Sequence, residues 1–418
     1  MKRRVIFITG LIVCMAQPIM AQLTLEGCQV KAKANYPLIK QYELIRQTEE
    51  YSLSNANKGY LPQFSVSGKV TYQSEVTKLP IKLPGITVPG MSKDQYQATA
   101  EVNQVLWDGG AIRSQKSVTK ASWAVDIQKN EVDLYALTDR INQLFFGALS
   151  LNEQLVQNDL LQKELQVNYD KISACLQNGI GNQADLDAVR VEQLKAKQRR
   201  AELTAAQKSF CDMLAAFIGE PIAKPNTLIK PDKSMVAEAN NRPELKLFTA
   251  QNLLYDSQIS SIKSGNMPKI NLFVQGGVGR PGLNMLDNDF SPFYVGGVRL
   301  SWSFGGFYTQ KNNLRKIELG KKGVDVQRET FLFNSQLKIL QEKNEIAKIG
   351  TVITDDDEII RLRTNIKKAS QAKVQNGTLP VSDLIRDINA ESQAMQDKAI
   401  HEIQLLQAIY NLKETVNN

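Results

Sequence analysis

The sequence predicts a mainly α-helical protein with a smaller β portion, assembled from a helix–strand–strand–helix-hairpin unit used twice. Three observations predict this class. Landmarks recur in the same order in both halves, four segments alternate between apolar and polar residues, and long helical runs without proline follow the alternating segments in each half.

The N-terminus comes first. Lys2, Arg3 and Arg4 precede an apolar run from Val5 to Val13, with small or polar residues at Ala16, Ala21 and Gln22. This is the shape of a secretory signal peptide, expected over 1–21 and too short to span a bilayer. Cys14 stands where a lipoprotein signal carries its cysteine, but Val13 is large for the residue before a modified thiol. Loss of the three leading cations lowers the formal charge of +8 by three. No dense Lys/Arg block remains, so nucleic acid is not an expected partner. The three cysteines beyond the leader, Cys28, Cys175 and Cys211, lack C-x-x-C spacing and read as packed apolar residues. A single histidine, His401 in a helical stretch, excludes multi-histidine metal centres and speaks against an enzyme. No cofactor is expected.

The duplication divides the chain into a first repeat over 22–235 and a second over 236–418. Tyr36-Pro37 opens an amphipathic stretch that closes at Leu61-Pro62, and Arg242-Pro243 opens one that closes at Met267-Pro268; each proline pair is 25 residues apart. Strands follow at about 63–75 and 95–107, then at about 269–279 and 292–304. Phe64, Val66, Val70 and Tyr72 alternate with Ser65, Ser67, Lys69 and Thr71, and the other three segments repeat the pattern. The strands end at Trp107-Asp108-Gly109-Gly110 and Trp302-Ser303-Phe304-Gly305-Gly306, whose glycines mark the strand-to-helix junctions.

Helix follows. No proline interrupts 111–176, where Leu134, Ile141, Ala148 and Leu155 recur every seven residues beside Leu137, Leu144 and Leu151. A comparable run covers 323–375, with a break expected near Gly350 and the acidic cluster Asp355, Asp356, Asp357 and Glu358. Hairpin tips close both runs at Asn178-Gly179-Ile180-Gly181 and Asn376-Gly377-Thr378-Leu379, and the Asn-Gly pairs lie 198 positions apart. A glycine at such a turn supplies the left-handed conformation that ends a helix.

At ten or more residues each, the strands are long enough to cross an outer membrane at a tilt, although their pattern also suits an ordinary soluble sheet. In a bilayer a sheet must close on itself, because free edges leave backbone groups without partners. Four strands cannot close. Copies of the chain would have to combine, and since eight strands fill their own interior, a trimer with twelve is the smallest arrangement that leaves a lumen.

The internal duplication, the proline-bounded helix of each half, the strand ending in Trp107-Asp108-Gly109-Gly110 and the two Asn-Gly tips together resemble the TolC-like outer-membrane efflux proteins. The resemblance covers nearly the whole mature chain and rests on order and spacing. It implies a homotrimer in the outer membrane of a Gram-negative bacterium, with a 12-stranded β-barrel held in lipid and continuing into a long periplasmic α-helical barrel. It further implies a passive exit duct for tripartite efflux or type I secretion, served by a periplasmic adaptor and an inner-membrane transporter. The tip residues Asn178, Gly179, Ile180 and Gly181, with Asn376, Gly377, Thr378 and Leu379, would dock on the adaptor. Asp383 matches the first acidic position of the family's periplasmic mouth. The second is Arg386 here, followed by Asp387, so ion pairs between copies are expected at this gate. The alternative reading is the periplasmic coiled-coil adaptor itself, which normally carries one hairpin between lipoyl-like halves.

Overall fold

The computed structural model describes residues 23–77, 90–179, 181–222, 227–233 and 240–417. The signal segment, most of the loop after the first strand, and Ile180 lie outside them.

Order along the chain follows the duplicated plan. Helix α1 (Leu25–Asn35), a 3-10 turn (Pro37–Lys40) and α2 (Gln41–Lys58) lead into β1 (Gln63–Tyr72) and β2 (Asp94–Trp107). Helix α3 (Ala111–Gln177) and α4 (Gln183–Ile218) complete the first half. The second half runs α5 (Pro243–Gly265), β3 (Lys269–Arg280), β4 (Ser291–Ser301), α6 (Gly305–Gln375) and α7 (Val381–Val416). The last helix of each half, α4 and α7, starts and stops 198 positions apart, at Gln183 and Val381 and at Ile218 and Val416. Both end on a left-handed residue, Gly219 (φ 74°) and Asn417 (φ 54°).

Contacts divide the chain into two units. The first comprises 1–39, 133–242 and 333–418, and its core is helical. Leu25, Cys28 and Ala32 of α1 pack with Ile141, Phe145, Phe146 and Ala148 of α3, Cys211 and Leu214 of α4, and Ile403 and Leu406 of α7. The heptad positions Leu134, Leu137, Ile141, Leu144 and Ala148 are all buried, as coiled-coil packing requires. Gly147 sits where α3 meets Phe210, and a Cβ there would lie 2.4 Å from the phenyl ring. Farther along, Leu165, Ala196, Leu384 and Ile388 join α3, α4 and α7. Cys28 and Cys211 are buried, as packed apolar residues would be, and burial pushes the Cys28 thiol up to about 11. Cys175 is exposed, contrary to expectation, because it lies on the solvent side of the last turns of α3.

The expected break in the second long helix does not occur. Helix α6 passes through Gly350 without interruption, and two members of the acidic cluster, Asp356 and Asp357, meet α7 instead of opening a new helix. His401 Nδ1 lies 2.7 Å from Asp356 Oδ2, and Lys398 Nζ donates to Asp357 at 2.5 Å. Glu358 pairs with Arg361 one turn on.

The second unit, 40–132 and 243–332, holds the sheet. Its four strands are antiparallel in the order β1-β2-β3-β4, so β1 and β4 are edges. The register runs Phe64 opposite Val102, Val102 opposite Val274, and Leu272 opposite Val298. Strand β1 ends at Tyr72 and β4 at Ser301, each about three residues before the expected ends at 75 and 304. Ser301 already faces Lys269, the first residue of β3, so no partner remains for Trp302 to Phe304. The Trp302 indole instead donates to the Asn266 carbonyl at 3.0 Å.

Candidate functional site

A sheet is pleated, so alternate residues share a face. One face of this sheet gathers Phe64, Val66, Val70, Ala98, Ala100, Val102, Leu272, Val274, Val278, Val298 and Leu300 across all four strands. These side chains are outside any core: Val66 is 71% and Leu300 67% exposed. The opposite face carries Ser65, Ser67, Lys69, Gln97, Thr99, Glu101, Asn103, Asn271, Gln275, Arg299 and Ser301. Ser67 and Thr99 share a hydrogen bond at 2.8 Å, and Arg299 Nη1 meets Glu101 Oε1 at 3.2 Å. The Arg299 guanidinium also lies over the Phe273 ring, 4.3 Å from its centroid. A bulge between Val105 and Trp107 shifts the phase of β2, which brings Trp107 opposite Ile270 on the apolar face.

Aromatic residues bracket the apolar face. Tyr72, Tyr96, Phe290 and Tyr294 lie toward the loop end, and Trp107, Trp302, Phe304 and Phe307 toward the helix end, with Trp302 and Phe304 centroids 4.8 Å apart. Apolar side chains between two aromatic rows, backed by a polar face, have the pattern expected of a sheet that separates lipid from water.

The junction glycines differ in why they are needed. Asp108 is buried and caps α3, accepting from the Gly110 amide at 2.9 Å and the Ile112 amide at 2.6 Å. Gly109 and Gly110 have φ of 69° and 85°, and a Cβ on Gly109 would stand 2.2 Å from Met267 Cβ. Gly305 and Gly306 lie inside the first turn of α6 without positive φ. Gly306 leaves room for Asn266, whose Oδ1 would be 1.9 Å from its Cβ, while a Cβ on Gly305 meets nothing.

Both tips turn through a left-handed glycine, Gly179 at φ 75° and Gly377 at 68°. Asn178 Nδ2 donates to the Ala174 carbonyl at 2.9 Å, and the Asn376 amide to Ala372 at 3.2 Å. Gly181 passes so close to α3 that a Cβ would lie 2.8 Å from the Leu176 amide nitrogen. Thr378 turns back on Lys373, to whose carbonyl its amide and hydroxyl donate at 2.9 and 3.0 Å. Asn178, Gly179, Gly181, Asn376, Gly377 and Thr378 are exposed and Leu379 is half-buried; Ile180 lies outside the described residues.

The three residues expected at a periplasmic gate lie in the first two turns of α7. Arg386 Nη2 and Asp383 Oδ1 are 3.3 Å apart, i and i+3 on one helix, so within a chain each is the other's partner. Asp387 accepts from Ser370 Oγ at 2.6 Å, which ties α7 to α6. One turn deeper is a group that sequence reasoning missed. Lys367 of α6 bridges Glu164 of α3, at 2.8 Å, and Glu391 of α7, which is only 3% exposed. Thr364 Oγ1 donates to the same carboxylate at 2.6 Å. Burial alone would lower the Lys367 pKa, but hydrogen bonds and charge from Glu164 and Glu391 outweigh it and hold the ammonium above its ordinary value.

The sheet thus has one apolar and one polar face, and strands β2 and β4 lead through short junctions into the long helices α3 and α6. Residues 29–220 match the family described as outer membrane efflux protein. The match runs from α1 to the end of α4. Solved structures share its fold over nearly its whole length. CusC, a transmembrane channel, is 13% identical with a TM-score of 0.66, covering 92% of this chain and 91% of its own. The Neisseria gonorrhoeae outer membrane channel MtrE, in its open state, is 12% identical with a TM-score of 0.66 over 94% and 89%. A membrane protein from Pseudomonas aeruginosa is 11% identical with a TM-score of 0.67 over 94% and 90%. Among curated proteins, none is similar enough in sequence to match.

Proposed function

We propose that three copies of this chain form a passive exit duct. The observation that carries the proposal is the sheet itself, which has an exposed apolar face and two unpaired edges, β1 and β4. Unpaired backbone groups in lipid each cost several kcal/mol, so β1 of one copy pairs with β4 of the next until a ring closes. Twelve strands is the smallest such ring with an open lumen. The polar face lines the lumen, and the apolar face meets lipid.

The duct serves a tripartite efflux or type I secretion system, with energy supplied by an inner-membrane transporter. Asn178, Gly179 and Gly181, with Asn376, Gly377 and Thr378, dock on the periplasmic adaptor; they are exposed and preshaped by the glycine turns. Asp383, Arg386 and Asp387 narrow the periplasmic mouth. A membrane-length pair of strands before each hairpin is what the adaptor alternative lacks.

Photocrosslinkers at Gly179 and Gly377 test the docking. A periplasmic adaptor captured at both tips is the expected product, and capture at neither defeats the assignment. For the mouth, Asp383→Ala and Arg386→Ala should change single-channel conductance; conductance equal to wild type in both removes these residues from the gate.

A further inference from the structure

The polar face of the sheet is unevenly charged. Its charged strand residues are Lys69 on β1, Glu101 on β2, Lys269 on β3 and Arg299 on β4, and the rest are chiefly Ser, Thr, Asn and Gln. Glu101 is already neutralised by Arg299. The Arg299 guanidinium also lies over the Phe273 ring, which holds the pair in the wall. Asp94 and Arg280 pair with each other from the other side of the pleat and contribute no net charge. Lys69 and Lys269 are exposed and make no ion pair among the described residues. They stand at opposite ends of the wall, Lys69 toward the loops and Lys269 beside Ser301 at the helix end.

We infer that the barrel lumen is an anion-favouring passage, and that the cargo class it suits is solutes carrying net negative charge, such as carboxylates, phosphates or sulfonates. The inference rests on the trimeric duct proposed above. In a ring of three, two unpaired lysines per copy place cations at both ends of the lumen and no unpaired anion between them. Low-dielectric walls focus that field, which acts over a Debye length of about 8 Å at physiological salt. The neutral Arg299–Glu101 girdle between them offers no trap for a cation.

The test is reversal potential in planar bilayers, using the full-length mature protein under a KCl gradient. Wild type should pass chloride in preference to potassium. Lys69→Gln/Lys269→Gln should lower the chloride-to-potassium permeability ratio several-fold, and Lys69→Glu/Lys269→Glu should invert it. These side chains are exposed and pack in no core, so the variants should assemble with conductance near wild type. A potassium-preferring wild type, or a conducting pore whose ratio moves in neither double variant, overturns the inference and leaves the duct standing. Wild-type protein that conducts nothing overturns the duct, and this inference with it.

Discussion

Lys367→Met removes one partner from a buried ionic cluster and leaves the Glu391 carboxylate, 3% exposed, without its counter-charge. Breaking a buried pair on one side costs about 3–5 kcal/mol, and because Lys367 is 14% and Glu164 28% exposed, the low end of about 3 kcal/mol applies. Thr364 remains as a donor to Glu391, but a neutral hydroxyl does not replace an ammonium. The cluster ties α6 to α3 and α7, so the loss should appear locally. Amide hydrogen exchange in α7 around Glu391 should accelerate about 100-fold, the equivalent of about 3 kcal/mol. Lys367→Met/Glu391→Met should recover most of the protection, since well-packed apolar replacements of a buried pair are often neutral or better. An acceleration corresponding to less than about 0.5 kcal/mol would mean that the cluster behaves as an exposed pair. A double variant as costly as the sum of its singles would likewise refute the reasoning.

Three further outcomes are expected. Val66→Arg puts a cation on the lipid face and should cost about 2–4 kcal/mol near the bilayer centre, reducing outer-membrane assembly, whereas Ser67→Arg on the lumen face should assemble normally by heat-stability on gels. Gly109→Ala, with φ of 69° and Met267 Cβ at 2.2 Å, should cost more than about 2 kcal/mol, while Gly305→Ala, in open space within a helix, should be neutral or slightly stabilising; thermal unfolding in detergent distinguishes them. Glu414 is raised to about 7 by burial and by Asp139, against the smaller lowering by Lys338, Arg242 and Asn142. Its native form therefore holds a proton that the unfolded chain releases near pH 4.3, so its contribution to stability falls as pH rises from about 4.3 to 7 and then levels off. Glu414→Gln should flatten that part of the unfolding profile; an unchanged pH dependence would remove Glu414 as its source.

What the sequence revealed depended on how local the determining physics was. The tips are set by a glycine that must turn left-handed within four residues, so Gly179 and Gly377 located both hairpins without any knowledge of neighbours. Heptad spacing likewise announced the buried seam of Leu134, Ile141 and Ala148, because a helix presents every seventh residue to the same neighbour. Strand faces were legible from alternation, but not their ends or their phase. Strand β4 stops where β3 begins, and Leu106 falls at a bulge that moves Trp107 onto the apolar face. The acidic cluster misled for a related reason. Asp356 and Asp357 look like the opening of a helix, yet their partners His401 and Lys398 come from α7, more than 40 residues away. Lys367 is the same case, one lysine among many until α3 and α7 bring Glu164 and Glu391 to it.

The most direct measurement is the native mass of the species extracted from outer membranes by mild detergent. Three chains per particle, close to three times the 46.7 kDa of the full sequence less its leaders, is the predicted result. A monomer released without detergent would contradict it, because β1 and β4 would then have no reason to seek another copy.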